Sequence, residues 1–274
     1  MKKVLTIAGS DSSGGAGIQT DLKTFAAIGT YGMSAITAIT AQNTLGVKSV
    51  EGVSARMVKE QIRTIFEDIE VDGVKIGMLA EIDIIEVVRD CIDLYRPKNI
   101  VLDPVMVSTS GFDLLNSQAK RILVDSLIPR ADLITPNLAE ASCILSILGK
   151  DGVYVDSIAK MEEAGRIIVG HTGKNVLIKG GHLLDRPCDV LVTSDVSIYR
   201  FDNPRIETKN THGTGCTLSS AIAANLALGY KLEEAVYRAK IFIGQAIMNS
   251  LDIGRGCGPT NPMGELYKKV GIFY

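Results

Sequence analysis

Short β-branched runs alternate with longer stretches of helical period along almost the whole chain, and this limits the fold more than any other feature. VLTIA (4–8) reads as a strand and IQTDLKTFAAIG (18–29) as a helix closed by glycine. MSAITAIT (33–40) is strand-like. ARMVKEQIRTIFEDI (55–69) sets Met57, Ile62, Ile65, Phe66 and Ile69 roughly on one helical face. GVKIGML (73–79), a helix over 82–95, NIVLDPV (99–105), a helix near 117–127 and DLITPN (132–137) continue the pattern. A helix from about 138, another near 157–170 and the strand NVLIKGG (175–181) follow. DVLVTSDVSIYRF (189–201) reads as a β-hairpin turning near Ser194 and Asp195, before two helices at about 215–228 and 232–250 and a glycine-rich tail, 254–262. Such alternation predicts an α/β fold with a mostly parallel central sheet and helices on both faces. No linker or short-period repeat interrupts it, so a single domain over 1–274 is expected.

Composition narrows the partners. Hydrophobic residues make up 46% of 274, enough for a large core. The 29 basic and 31 acidic residues nearly cancel and form no basic cluster, which argues against a nucleic-acid or anionic-membrane partner. No apolar run approaches the ~18 residues that span a bilayer. The apolar stretch after Lys3 stops at Gly9, too early for a signal-peptide core, and a cytoplasmic protein is expected. The cysteines (Cys91, Cys143, Cys188, Cys216, Cys257) are scattered, with no CxxC pair, and His171, His182 and His212 lack metal-ligand spacing.

In open parallel sheets, ligands bind beyond the carboxyl ends of the strands. That singles out residues 9–17, 42–43, 77–79, 103–110, 135–140 and 179–182. GSDSSGGAG (9–17) superficially matches a phosphate-binding P-loop, but Gly15-Ala16 stands where the Lys-Ser/Thr pair belongs. It reads either as a tight strand-to-helix turn or as backbone that approaches a ligand closely. Asp21, early in the next helix, reads first as electrostatic capping and second as a ligand contact. Gln42 ends a strand, where its amide could meet a heteroaromatic edge or simply bond within a loop. In TPNLAE (135–140), Asn137 and Glu140 have the spacing of a capping box, or else stand near hydrated Mg²⁺ and phosphates. Asp103 is a second acid at the same sheet edge. Lys179 could neutralise a phosphate or merely end its strand. THGTGC (211–216) opens a helix whose first N–H groups lack partners, a ready anion hole in which a thiolate at Cys216 would be favoured.

Together these stretches resemble the ribokinase-like superfamily, and more closely the hydroxymethylpyrimidine/phosphomethylpyrimidine kinases of thiamin biosynthesis. The resemblance runs through TIAGSDSSGGAGIQTDLKTF (6–25), AITAQNTLGVKSV (38–50), KIGML (75–79), LDPVM (102–106), ITPNLAEA (134–141), IKGGH (178–182) and KNTHGTGCTLSSAIAA (209–224). It implies ATP-dependent phosphorylation of 4-amino-5-hydroxymethyl-2-methylpyrimidine and then of its monophosphate. By that resemblance Gly213, Thr214 and Gly215 hold the transferring phosphoryl group and Cys216 acts as base, assisted by His212. Gly9, Asp21, Gln42, Met78 and Val105 would surround the pyrimidine. Asn137, Glu140 and Lys179 would face ATP, and Asp103 and Glu140 would serve Mg²⁺ through water. A homodimer is implied. The nearest competitor is a pyridoxal kinase of the same branch, which the resemblance separates by Gln42. A non-catalytic ligand-binding protein would lose Cys216 or Lys179. A thiol enzyme with Cys216 as nucleophile would need an acid to orient His212, and none is evident in the sequence. The tail glycines are expected to help close the nucleotide site.

Overall fold

The computed structural model describes residues 1–106, 115–183 and 186–272. Of the stretch 103–110 singled out above, residues 107–110 lie outside the described residues. The strands are β1 (Lys3–Asp11), β2 (Tyr31–Asn43), β3 (Gly46–Gly52), β4 (Gly73–Ile76), β5 (Ile100–Leu102), β6 (Leu133–Ile134), β7 (Asn175–Ile178), β8 (Cys188–Val192) and β9 (Ile198–Asp202). They form one sheet in the order β3-β2-β1-β4-β5-β6-β7-β8-β9. The run from β2 to β7 is parallel, while β3 at one edge and β8 and β9 at the other are antiparallel. The chain adds β2 on one side of β1 and β4 on the other, so the strand order reverses at β1, where such sheets open a crevice.

Alternating side chains bury both faces. Leu5, Ile7, Val74, Ile76, Ile100, Leu102, Ile134, Val176 and Ile178 pack on one side. They meet α2 (Ala55–Asp68), α3 (Ile82–Tyr95), α4 (Ser117–Ile122), α5 (Leu138–Ile147) and α6 (Ile158–Thr172) through Ile62, Val88, Ala119, Ile144 and Ile168. Val4, Val101, Leu133, Leu177 and Leu191 face the other side. There they meet α1 (Gly17–Ile28), α7 (Thr214–Ala227) and α8 (Leu232–Met248) through Phe25, Ile222 and Val236. This period of two on strands buried on both faces is why they read as nearly continuous apolar runs.

Three local expectations differ from the structure. Strand β3, GVKSVEG, was not expected, because it is mostly polar and half exposed; it is an edge strand carrying Lys48 and Glu51. The helix over 117–127 is α-helical only to Ile122, then widens to a π-turn over Leu123–Leu127 and tightens to a 3₁₀ turn over Ile128–Arg130, with Pro129 at its start. After the tail comes a short α9 (Gly264–Lys269).

One polar cluster interrupts the α1/α7 side of the core. Thr6 of β1 and Lys75 of β4 are direct neighbours in the sheet and both face that side. Asp21 of α1 meets them, with its carboxylate oxygens 2.9 and 2.8 Å from Lys75 Nζ. The Thr6 hydroxyl donates to one oxygen at 2.6 Å and the Ser220 hydroxyl of α7 to the other at 2.7 Å. Lys75 and Asp21 have no exposed surface. Burial disfavours the Lys75 ammonium, but Asp21, Cys216 and Asp103 together outweigh it and raise the lysine above its ordinary range. Removing one member of such a pair strands the other charge. Lys75→Met should therefore cost about 3–5 kcal/mol by urea denaturation. The Asp21→Asn/Lys75→Met double variant should lose less than the sum of the two single changes.

Candidate active site

The strand ends converge on a cleft of about 770 Å³ over the carboxyl edge of the sheet. Two irregularities shape its rim. The β1–β2 register slips between Ala8 and Ser10, and the β2–β3 register slips between Ala41 and Gln42. Such bulges re-aim side chains, and here Gly9 and Gln42 both line the cleft. Gly9 packs so closely on Met78 that an added Cβ would lie 2.4 Å from Met78 Cε. Met78 and Val105 complete this apolar wall.

The first turn of α7 forms the middle of the site. Gly213 caps it with φ +80°, and a Cβ there would lie 1.8 Å from the Gly15 carbonyl oxygen, so only glycine fits. The Thr214 N–H turns back to the Thr211 carbonyl, and the helical ladder starts with Thr217 N–H to the Gly213 carbonyl. Among the described residues no acceptor takes the Gly215 and Cys216 N–H groups between them, which leaves an anion site. Beside it, an added Cβ on Gly215 would lie 3.4 Å from Lys179 Nζ and 3.5 Å from Asp103 Oδ2. Lys179 is thus poised over the helix end, paired with Asp103 at 2.7 Å and standing 4.0 Å from Glu140.

Asn137 and Glu140 satisfy the capping-box reading and line the cleft as well. The Glu140 N–H donates to Asn137 Oδ1 at 2.9 Å, and Glu140 Oε2 accepts from the Asn137 N–H at 2.8 Å. Burial pushes the Glu140 carboxyl up to about 7; Lys179 pulls it down and Asp103 pushes it further up. Asp103 is also buried, yet Lys179 and Lys75 hold it below the usual carboxylate range. No group of three or more metal-ligating side chains occurs among the described residues. A hydrated divalent cation held by Glu140, Asp103 and phosphate oxygens fits this donor set better than an all-protein cage does.

Three expectations change. Asp21 does not line the cleft and is not a helix-end acid, since the first turn of α1 holds none; it sits one turn in, under the floor, holding Lys75. Cys216 is not favoured as a thiolate in the ligand-free protein. Burial pushes its thiol up to about 11, Asp21 and Asp103 push the same way, and Lys75 and the Gly17 N–H only partly oppose them. Nor is His212 without an acid: its Nε2 lies 2.8 Å from Asp11 Oδ2, 201 positions away. His212 also stands 3.4 Å from Gln42, and no hydrogen bond joins it to Cys216. Asp11 was missed because it sits in what reads as a glycine turn. The signal was an acid facing that turn's amides, since it accepts from the N–H groups of Ser13, Gly15 and Ala16. Lys75 was missed too, although a lysine inside the buried strand GVKI demands a buried partner.

The tail lies against the His212 side. Cys257 N–H bonds the Thr44 carbonyl at 2.9 Å, while His212 N–H bonds the Gly258 carbonyl and Thr260 N–H the His212 carbonyl, each at 3.0 Å. It braces the turn that carries the anion site from behind.

Known proteins match this chain over nearly its whole length. A family model described as phosphomethylpyrimidine kinase matches residues 11–261. The chain belongs to that family. A hydroxymethylpyrimidine/phosphomethylpyrimidine kinase of Staphylococcus aureus (strain MSSA476) is 43% identical over 274 residues, 99% of this chain and 96% of the relative. The crystal structure of phosphomethylpyrimidine kinase from Clostridium difficile 630 shares 48% identity with a TM-score of 0.78, covering 90% of this chain and 100% of that one. A Bacillus subtilis pyridoxal kinase in complex with ADP shares 39% identity with a TM-score of 0.89, covering 97% and 99%. The α/β fold with a mostly parallel central sheet is thus that of the family's ribokinase-like kinases.

The raised Cys216 thiol gives a direct test on the ligand-free protein. Two pH units above the ordinary thiol value of 9.0, Cys216 at about 11 holds roughly 100-fold less thiolate at pH 8. Its alkylation by iodoacetamide, followed by peptide mass, should be at least about 10-fold slower than that of an unperturbed thiol and should still be rising at pH 10.

Proposed function

We propose that this chain transfers the γ-phosphoryl group of ATP to the hydroxymethyl group of 4-amino-5-hydroxymethyl-2-methylpyrimidine, and a second one to the resulting monophosphate, in thiamin biosynthesis. The observation that carries this reading is the first turn of α7. Its free N–H groups have Lys179 and Asp103 on one side and, through Gly213 against Gly15, the wall of Gly9, Gln42 and Met78 on the other. A phosphoryl group in flight spreads charge over its equatorial oxygens, and preorganised N–H groups and a lysine stabilise that charge.

In this reading the Gly215 and Cys216 N–H groups and Lys179 hold the transferring group. Asn137 and Glu140 face the nucleotide phosphates, and Mg²⁺ held through water near Glu140 and Asp103 would neutralise phosphate charge. The hydroxymethyl proton passes to Cys216 in its thiolate form as the new O–P bond forms and ADP leaves. Lys75 and the Gly17 N–H stabilise that thiolate, which is a minority species in the ligand-free protein. The proposal extends to a homodimer in a cytoplasmic setting. No helix among the described residues is long and apolar enough to cross a membrane, and the balanced surface charge suits small-molecule partners.

A pyridoxal kinase is the second reading, favoured by the closer superposition on the B. subtilis pyridoxal kinase. Purified protein with Mg-ATP and either hydroxymethylpyrimidine or pyridoxal, with products followed by mass, separates the two. Mono- and diphosphorylated pyrimidine with little pyridoxal phosphate is the expected result. Cys216→Ala should bind both ligands but turn over at least ~10²-fold more slowly, the scale of general-base loss. Gly213→Val should abolish turnover; near-normal ATP turnover in it would make the turn merely structural.

A further inference from the structure

Gln42 stands between two neighbours whose protons are already committed. Asp11 accepts from Ser13, Gly15 and Ala16 as well as from His212. Burial opposes its ionisation, but these bonds outweigh it and draw the carboxyl down to about 2. An ionised carboxylate only accepts, so the proton in the 2.8 Å contact belongs to His212 Nε2. That nitrogen has no lone pair left, yet Gln42 Nε2 stands 3.4 Å from it, a donor facing a donor.

The other end of the amide has the same mismatch. Thr40 Oγ1 lies 2.9 Å from the Ser10 carbonyl and 3.2 Å from Gln42 Oε1. One hydroxyl proton cannot serve both, and the shorter contact, to a carbonyl, takes it. Thr40 then offers Gln42 a lone pair. Turning the amide by half a turn about its terminal bond lets its NH₂ donate to Thr40 and sets an oxygen, in place of a second donor, against the His212 Nε2–H, while the heavy-atom positions stay nearly unchanged. Below the amide the main chain is pinned, because the Ser12 hydroxyl accepts from the Gln42 N–H at 2.9 Å and donates to the Gln42 carbonyl at 2.8 Å.

We propose that Thr40, and Asp11 acting through His212, are positioning residues that lock the Gln42 amide with Oε1 toward His212 and its NH₂ toward Thr40. The cleft then takes a ring with its exocyclic amine on the His212 side and its acceptor nitrogen on the Thr40 side. This rests on the aminopyrimidine reading above. In that ring the carbon bearing the hydroxymethyl group adjoins the carbon bearing the amine. The locked polarity therefore carries the hydroxymethyl group toward Gly213 and Cys216, which follow His212, and the opposite polarity would carry it away.

The test uses a ring with reversed hydrogen-bonding polarity. Calorimetry compares the 4-amino ring with its 4-oxo analogue, in which the ring nitrogen donates and the exocyclic oxygen accepts. Wild-type protein, Thr40→Val and Thr40→Ser are measured, with Thr40→Ala in reserve should the valine variant not fold. The wild type should bind the amino ring at least about 10-fold more tightly, the scale of one mismatched hydrogen bond. Thr40→Val frees the amide to turn and should shrink that ratio to about 3-fold or less, while Thr40→Ser restores it. A ratio that survives in the valine or alanine variant overturns the proposal, and so does equal weakening of both rings, the mark of general damage. Failure of the wild type to phosphorylate the amino ring from Mg-ATP removes the functional reading and this proposal together. Phosphorylation with an unchanged ratio in Thr40→Val removes the positioning role alone.

Discussion

The buried contact between Asp21 and Lys75 is the constraint on which the rest of the structure depends. A single carboxylate ties β1, β4, α1 and α7 together through Thr6, Lys75 and Ser220. Two desolvated charges are a poor source of net stability. Their geometry, however, admits few alternatives, because any slip of β4 against β1 or of α7 against the sheet leaves a charge unpaired in the core. Ser220 lies one helical turn beyond Cys216, so the anchor that holds α7 also sets the height of the anion site above the sheet.

The cleft extends the same electrostatic pattern outward. Lys75 and Asp21 pair in the core and Lys179 and Asp103 pair nearer the rim, with Glu140 4.0 Å from the same Lys179. The structure shows the capping box of Asn137 and Glu140 and puts both residues on the cleft wall. The capping box orients Glu140, and burial beside Asp103 leaves it poised near neutrality. Cys216 is kept as a thiol first by burial and then by Asp21 and Asp103.

Much of this was legible in the sequence for a physical reason. In a parallel sheet, chemistry clusters after strands, and Gly9, Gln42, Met78, Asp103, Asn137 and Lys179 all follow strands or end them. The Gly213 turn was legible because a helix start with glycines leaves N–H groups bare. What stayed hidden depended on contacts between distant segments. Asp21 looked like a helix-end acid because its partner Lys75 lies 54 positions away. Asp11 looked like part of a turn because His212 reaches it only in the folded chain. Strand β3 escaped notice because an edge strand needs no apolar run, only a neighbour with free backbone groups.

The dependence of the reactive turn on distant segments has a consequence for biosynthesis. The turn at His212 hydrogen-bonds to Gly258 and Thr260, its imidazole reaches back to Asp11, and the same tail is tied to Thr44. No continuous stretch of chain holds the site together. While a ribosome is still extending this polypeptide, β1 and α1 can emerge and pair long before the segment that braces the turn exists. Nascent chains therefore carry Lys179 and the Gly213 turn without the frame that aligns them, and the cleft is complete only with the last long-range contacts to form.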